Sequence, residues 1–260
     1  MATAISQSHV RRPIRLAAKL ALCITLGFGR ATSAAPPADD YTPVATIARA
    51  QRDHEAAGRR WRADTNNLEA AWQFGRACFD LADAATNNTQ RAHVAQEGIV
   101  ASRRATVLDP KSPAAYYYLG LNLGQLARAR PLSAIGLLGD VEAAWLSSIA
   151  LDPKYDHSGA HRAIGVLYRD APGWPLSLGN RKKSLAHLEK AVEVSPDYPG
   201  NRLYLIETFI KWSKKDKARA ALAETRKVMD KAPASFAGPD WAEDRTDWER
   251  RWKRIQEQLK

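Results

Sequence analysis

An all-α solenoid of stacked helical hairpins is the fold this 260-residue chain predicts, and three observations predict it. Apolar residues recur at intervals of three and four, and no stretch alternates with period two. Val107-Leu108-Asp109-Pro110, Ala150-Leu151-Asp152-Pro153 and Val194-Ser195-Pro196 each close an apolar run, with successive prolines 43 residues apart. Upstream of each lies an apolar residue followed by glycine: Phe74-Gly75, Leu119-Gly120 and Ile164-Gly165, with successive glycines 45 residues apart. A degenerate fourth copy closes at Pro233. Self-similarity at such a period marks an array in which no unit buries its apolar face alone.

Residues 1–34 read as a secretory signal peptide. Arg11, Arg12, Arg15 and Lys19 form a basic start, an apolar run follows over 20–28, and small residues close it at 31–34. That run is too short for a membrane span. Pro36 argues against cleavage directly before it, which places the cut after Ser33 or Ala34. Arg11-Arg12 fits twin-arginine export poorly, and Leu22 is too bulky a neighbour for lipidation of Cys23. The expectation is export of a soluble protein to the periplasm or beyond.

Signal removal changes the charge argument. It takes five of the 39 basic residues and none of the 28 acidic ones, so the net charge falls from +11 to +6. Residues 35–180 balance 15 against 15, and the excess lies in 181–260. A neutral body on an exported protein excludes nucleic acid as the expected partner, while the basic C-terminal third leaves contact with an anionic membrane open. Cys78 then stands alone, without an intramolecular disulfide, and reads as a packed core residue.

The hairpins follow in order. A linker and an N-terminal helix at Val44–Ala63 occupy 35–64. First helices are expected at 68–81, 114–125 and 159–169. Second helices are expected at 94–108, 141–151 and 181–194, each ended by the proline that lacks a donor. A glycine in each first helix admits its partner closely. The repeat domain spans 65–233, and 234–260 supplies a capping helix. There Trp241, Trp248, Trp252, Ile255 and Leu259 share one face opposite Glu249, Arg250, Arg251, Lys253 and Arg254. A basic helix lying on a membrane is the alternative reading of that segment.

The pattern resembles the tetratricopeptide repeat over about 65–233. Ile164, Gly165, Tyr168, Leu188, Ala191 and Pro196 match in the third unit. Tyr116, Leu119, Gly120, Leu123, Trp145 and Pro153 match in the second, and Phe74, Gly75, Ala105 and Pro110 in the first. Ile206, Ala221 and Pro233 match more weakly in the fourth, where Glu207 replaces the glycine. The resemblance implies that first helices line a concave face, with Trp72, Tyr117, Arg162 and Tyr204 pointing inward. Arg76, Leu121, Val166 and Thr208 follow one turn on. Aromatic residues and arginine are frequent binding hot spots, although packing against the chain itself explains the same residues.

The units exceed the family's usual length, and the surplus is expected as loops at 82–93, 127–140 and 170–180, all on one edge. Pro131-Leu132-Ser133 with Gly136 and Gly139 echoes Pro175-Leu176-Ser177 with Gly179. On one reading these are stiff connectors covering helix ends. On the other, Leu132, Ile135, Leu137, Leu138, Trp174, Leu176 and Leu178 line a ligand or partner surface. The style of the 171–183 segment resembles the T-component proteins associated with TRAP-type transporters. That resemblance implies a periplasmic accessory binding a small hydrophobic ligand or a solute-binding subunit.

Catalytic constellations are not expected. No phosphate loop, nucleophile elbow or paired-cysteine motif is present, and neither a cofactor nor a metal is expected. His157 and His161 are spaced for one helix face, but His157 falls in the turn at 155–159 and His161 in a packing slot. The expected function is non-enzymatic binding of a peptide, partner protein or small hydrophobic ligand. The alternative is a self-assembling or envelope-complex scaffold subunit, including a homo-oligomer.

Overall fold

The structure, a computed structural model, describes residues 44–260; the expected signal peptide and the linker to residue 43 lie outside the described residues. The described residues form eleven α-helices and no strand. The helices are α1 (Val44–Ala63), α2 (Leu68–Ala84), α3 (Asn88–Leu108), α4 (Pro113–Ala129), α5 (Ala134–Leu151) and α6 (Tyr155–Asp170). The chain continues with α7 (Arg181–Val194), α8 (Pro199–Lys211), α9 (Lys215–Ala220), α10 (Leu222–Ser235) and α11 (Ala242–Gln258). Each consecutive pair α2–α3, α4–α5 and α6–α7 is a packed hairpin, and α1 packs on α2.

Helix starts are set by side chains that accept otherwise unpaired backbone N–H groups. Asn67 Oδ1 accepts from Ala70 N at 2.9 Å, Asn87 Oδ1 from Gln90 N at 2.8 Å and Asn180 Oδ1 from Lys183 N at 2.9 Å. Ser112 caps α4, with Pro113 in the first turn, where its missing donor costs nothing. At the ends of α3 and α5, Asp109 and Asp152 take extended backbone. The proline that follows each aspartate disfavours the helical conformation there.

Close helix approach depends on glycine. A methyl group at Gly120 would lie 2.4 Å from Trp145 Nε1, and one at Gly165 would lie 2.7 Å from Leu188 Cγ. Both distances are far below a van der Waals contact, so the second helix of each hairpin occupies the volume a side chain would need. Trp145 is fully buried there, and its indole N–H donates to Tyr117 O. The repeats are also tied to each other. Asn122 Nδ2 donates to Gly75 O and to Tyr118 O, both at 2.8 Å.

Three expectations are corrected. The surplus at 82–93 and 127–140 is largely helix, with short turns at 85–87 and 130–133: α2 runs to Ala84, α3 starts at Asn88, α4 runs to Ala129 and α5 starts at Ala134. Nothing in those stretches breaks a helix once Asn87 caps one and a 3-10 turn at Pro131–Ser133 leads into the other. Only 170–180 is largely loop, from Ala171 to Asn180. The fourth unit is also more irregular than a hairpin. Its second half divides into α9 and α10, and Pro233 lies inside α10 rather than after it.

The core has two parts. One buried cluster runs from Ala50 in α1 to Tyr204 in α8, with Tyr117, Tyr118, Trp145 and Ile164 among its members. The other joins Tyr198, Leu203, Ile206 and Phe209 to Phe236, Trp248, Ile255 and Leu259. The last helix therefore shields the end of the array with one apolar stripe, while Trp252 is half-buried.

Candidate functional site

The expected inner-face residues occupy the first helices α2, α4, α6 and α8, but their surroundings are supplied by the chain itself. Tyr117, Leu121, Arg162, Val166, Tyr204 and Thr208 are buried. Trp72 and Arg76 are half-buried. The Trp72 ring stacks on Tyr118 at 5.8 Å between centroids, and Arg76 pairs with Asp80 one turn on. The reading of Tyr117, Arg162 and Tyr204 as an open binding surface is corrected. The physical reason is that neighbouring helices bring matching polar groups and rings against them.

The polar centre of this face is built around a turn of unusual backbone. Asp156, His157 and Ser158 have φ of 51°, 53° and 63°, a left-handed run at the start of α6. Such conformations cost roughly 1–2 kcal/mol per non-glycine residue, and side-chain contacts hold them in place. Asp156 Oδ2 accepts from the Tyr117 hydroxyl at 2.7 Å and from Arg162 at 3.3 Å. Arg162 also donates to Asn201 Oδ1 at 2.8 Å and to His157 O at 3.2 Å. Ser158 and Ser195 share a hydroxyl contact of 2.8 Å, and the His157 ring stacks on Tyr198 at 4.8 Å. Gly159 is required beside them, because a Cβ there would sit 2.3 Å from the Tyr117 hydroxyl.

Electrostatics match this geometry. Burial, followed by the charge of Asp156, pushes the Tyr117 phenol well above its ordinary value, so it stays a donor. Burial works against the charge on Arg162, but Tyr198, Tyr117 and Asp156 outweigh it and hold the guanidinium protonated. The arrangement is a closed, charge-compensated network.

The C-terminal helix completes the closure. The Arg251 guanidinium lies 4.0 Å over the Tyr204 ring and makes two 2.8 Å bonds to the Glu207 carboxylate. Phe236, Trp241 and Trp248 crowd the rings of His157 and Tyr198. At the other end of α11, Glu243 lies 3.8 Å from Arg49 of α1. The chain's last helix thus spans from the fourth unit back toward the first described helix.

The other expected surface, at one edge of the array, is different in kind. A three-residue turn at 152–154 joins α5 to α6, so the start of α5 and the end of α6 lie at the same end of the stack. Glu142 fixes their relation, accepting from the Tyr168 hydroxyl and pairing with Lys183. Beyond that point Leu132 is 104 % exposed, Trp174 88 %, Leu176 59 % and Ile135 45 %. Leu137 and Leu178 are half-buried anchors on the core, while Leu138 is buried and leaves the candidate set. The segment Pro131–Leu151 is long and apolar enough to cross a membrane by length and composition alone. One stripe of it, through Leu138, Val141 and Trp145, packs in the core.

The loop that presents Trp174 is internally bonded. Gly179 N donates to Pro172 O at 2.8 Å, Leu176 N to Gly173 O at 3.1 Å and Asn180 N to Tyr168 O at 2.8 Å. A Cβ on Gly179 would lie 2.1 Å from Ala171 O, so glycine is needed for the chain to return. Arg130, Arg181 and Lys182 are exposed beside this edge, as is Lys183.

His157 and His161 do not form a shared site: His157 stacks on Tyr198, and His161 Nδ1 lies 3.0 Å from His187 Nδ1. Burial, then the neighbouring His187, lowers His161 to about 4, so it is neutral near pH 7. The residues that sequence reasoning missed are Asp156 and Asn201. The 155–159 segment signalled a turn, and Asp156 and His157 are residue types enriched in left-handed backbone, but nothing local signalled Asn201, which donates to His157 O from 44 residues on.

No family model matches the chain, and no curated protein matches it. Solved structures do. The thermophilic TPR protein TTC0263 of Thermus thermophilus aligns with a TM-score of 0.59 at 19 % identity, covering 81 % of this chain and 92 % of that one. Two structures of MamA align more weakly. Their TM-scores are 0.49 and 0.47 at 19 % and 18 % identity, each covering 75 % of this chain and 99 % and 91 % of theirs. The chain has a tetratricopeptide-like, all-α helical repeat fold.

Proposed function

We propose that this protein is an exported, non-enzymatic scaffold that docks an apolar segment of a partner protein on the edge formed by Leu132, Ile135, Trp174 and Leu176. The observation that carries this reading is the exposure of four large apolar side chains on a rigid support. Exposed apolar surface of this kind is a liability unless something covers it. A loop already held by its own hydrogen bonds loses little freedom on binding, which preserves the gain from burial. Each large side chain buried there contributes roughly 1.5–3 kcal/mol before ordering costs. The amino-terminal segment supports export. The resemblance to T-component proteins supports a role beside a solute-uptake system, with a solute-binding subunit as the partner.

A second reading is favoured by one observation, the exposed cations Arg130, Arg181 and Lys182, which stand within a few positions of Leu132 and Leu176 in sequence. Aromatic and aliphatic side chains rimmed by basic residues suit the interface of an anionic bilayer.

A photo-crosslinking residue in place of Leu132, introduced in the source cell, separates the readings. The proposal expects one protein adduct of discrete mass that disappears when Trp174 and Leu176 are both serine. Adducts to lipid alone, with co-sedimentation on anionic vesicles, establish the second reading and contradict the first. An adduct of twice the chain's mass assigns the edge to self-association.

A further inference from the structure

We propose a metal site between the first three helices, with His54 of α1, Cys78 of α2 and Glu97 of α3 as its ligands and a zinc-like divalent cation as its occupant. The nearest donor atoms of the three residues lie within 4.8 Å of one another, and His54 Nε2 is 3.0 Å from Glu97 Oε2. Zinc bonds of about 2.0–2.3 Å arranged tetrahedrally place donor atoms about 3.4–3.6 Å apart. The present spacing brackets that range, so small rotations of two flexible side chains close the site. Nitrogen, sulfur and carboxylate oxygen form a donor set suited to zinc rather than to magnesium or calcium, which prefer oxygen alone.

The site has an inner and an outer side. Cys78 is fully buried, whereas the His54 and Glu97 side chains are 18 % and 36 % exposed. A cation therefore has a path from solvent past the carboxylate, and a fourth position is left for water. The charge count is compatible with occupancy. On binding a divalent cation, the S–H bond breaks, the proton leaves to solvent and the sulfur bonds the metal. Two positive charges then meet one thiolate and one carboxylate, leaving a neutral cluster that the interior tolerates. Because the ligands come from three helices, occupancy ties α1 to the α2–α3 hairpin.

The test uses the full chain in a Cys23→Ala background, stripped with chelator and titrated with Co2+ and with Zn2+. The expected result is one equivalent of Co2+ per chain showing thiolate-to-cobalt charge-transfer absorption, displaced by Zn2+, together with a Zn2+-dependent rise in melting temperature. Cys78→Ala, which keeps a small apolar core residue, and His54→Gln, at a partly exposed position, should each abolish the band and the rise. Their helical circular dichroism should match the parent. Absence of the thiolate band in the parent would overturn the site. So would zinc stabilisation that persists in Cys78→Ala, since it would then belong to other histidines and carboxylates.

Discussion

The inner face and the edge carry similar residue types, yet the protein treats them in opposite ways. On the inner face, Tyr117, Arg162 and Tyr204 meet Asp156, Asn201 and Arg251 of the same chain. At the edge, Leu132 and Trp174 are exposed on a helix start and a loop that carry backbone hydrogen bonds of their own. Aromatic side chains and arginine in equivalent repeat slots therefore do not by themselves mark a groove. On the proposed reading, what marks a docking surface is exposed apolar area on rigid support. On that proposed reading the inner face contributes to stability and the edge to association, and variants should divide along that line.

The largest effect is expected at Arg162. Arg162→Ala removes a buried cation from Asp156, Asn201 and His157 O together, and breaking a buried pair of this kind costs about 3–5 kcal/mol. Chemical denaturation should report a loss of that size. A loss below about 0.5 kcal/mol would mean that Arg162 is a surface residue and the inner face is open. Gly120→Val comes next, because its side chain must displace Trp145. Overpacking costs about 1–3 kcal/mol, and an unchanged melting transition would refute the close approach of α4 and α5.

The pH dependence sharpens the same contrast. His161 is held at about 4 in the fold, below its ordinary 6.5, by burial and by His187. The unfolded chain therefore binds more protons in that window. Stability is fully present above pH 6.5 and declines as pH falls toward 4. The contribution is on the order of 2 kcal/mol, and His161→Phe should flatten the midpoint between pH 6.5 and 4.5. An equally steep decline in the variant would assign the acid response to other groups.

Much of the architecture was legible in residue spacing. The prolines at 110, 153 and 196 and the glycines at 75, 120 and 165 placed three hairpins, and Val44–Ala63 was legible as a helix from its pattern alone. The surplus residues were not legible as helix, because a solvent-exposed glycine such as Gly136 or Gly139 reads as a loop signal yet is tolerated inside α5. Of the edge residues, Leu132, Ile135, Trp174 and Leu176 were identifiable because exposed connectors have little reason to carry large apolar side chains. Leu138 was misread because a one-residue advance along a helix turns a side chain by about 100°, which moves it from the edge into the core. The closure of the inner face was invisible for a different reason. It depends on Arg251 and Trp248 returning from more than forty residues away, and local pattern says nothing about where a terminal helix docks.

The central claim is that association belongs to the edge and not to the inner face, and one paired measurement tests it most directly. The triple variant Leu132→Ser, Trp174→Ser, Leu176→Ser should melt within about 0.5 kcal/mol of the parent, as expected for exposed positions. It should also lose at least tenfold in affinity for the partner identified by crosslinking at Leu132. Unchanged affinity in a fully folded triple variant would contradict the account, as would unfolding of the variant, since either result makes the edge a cover for the core.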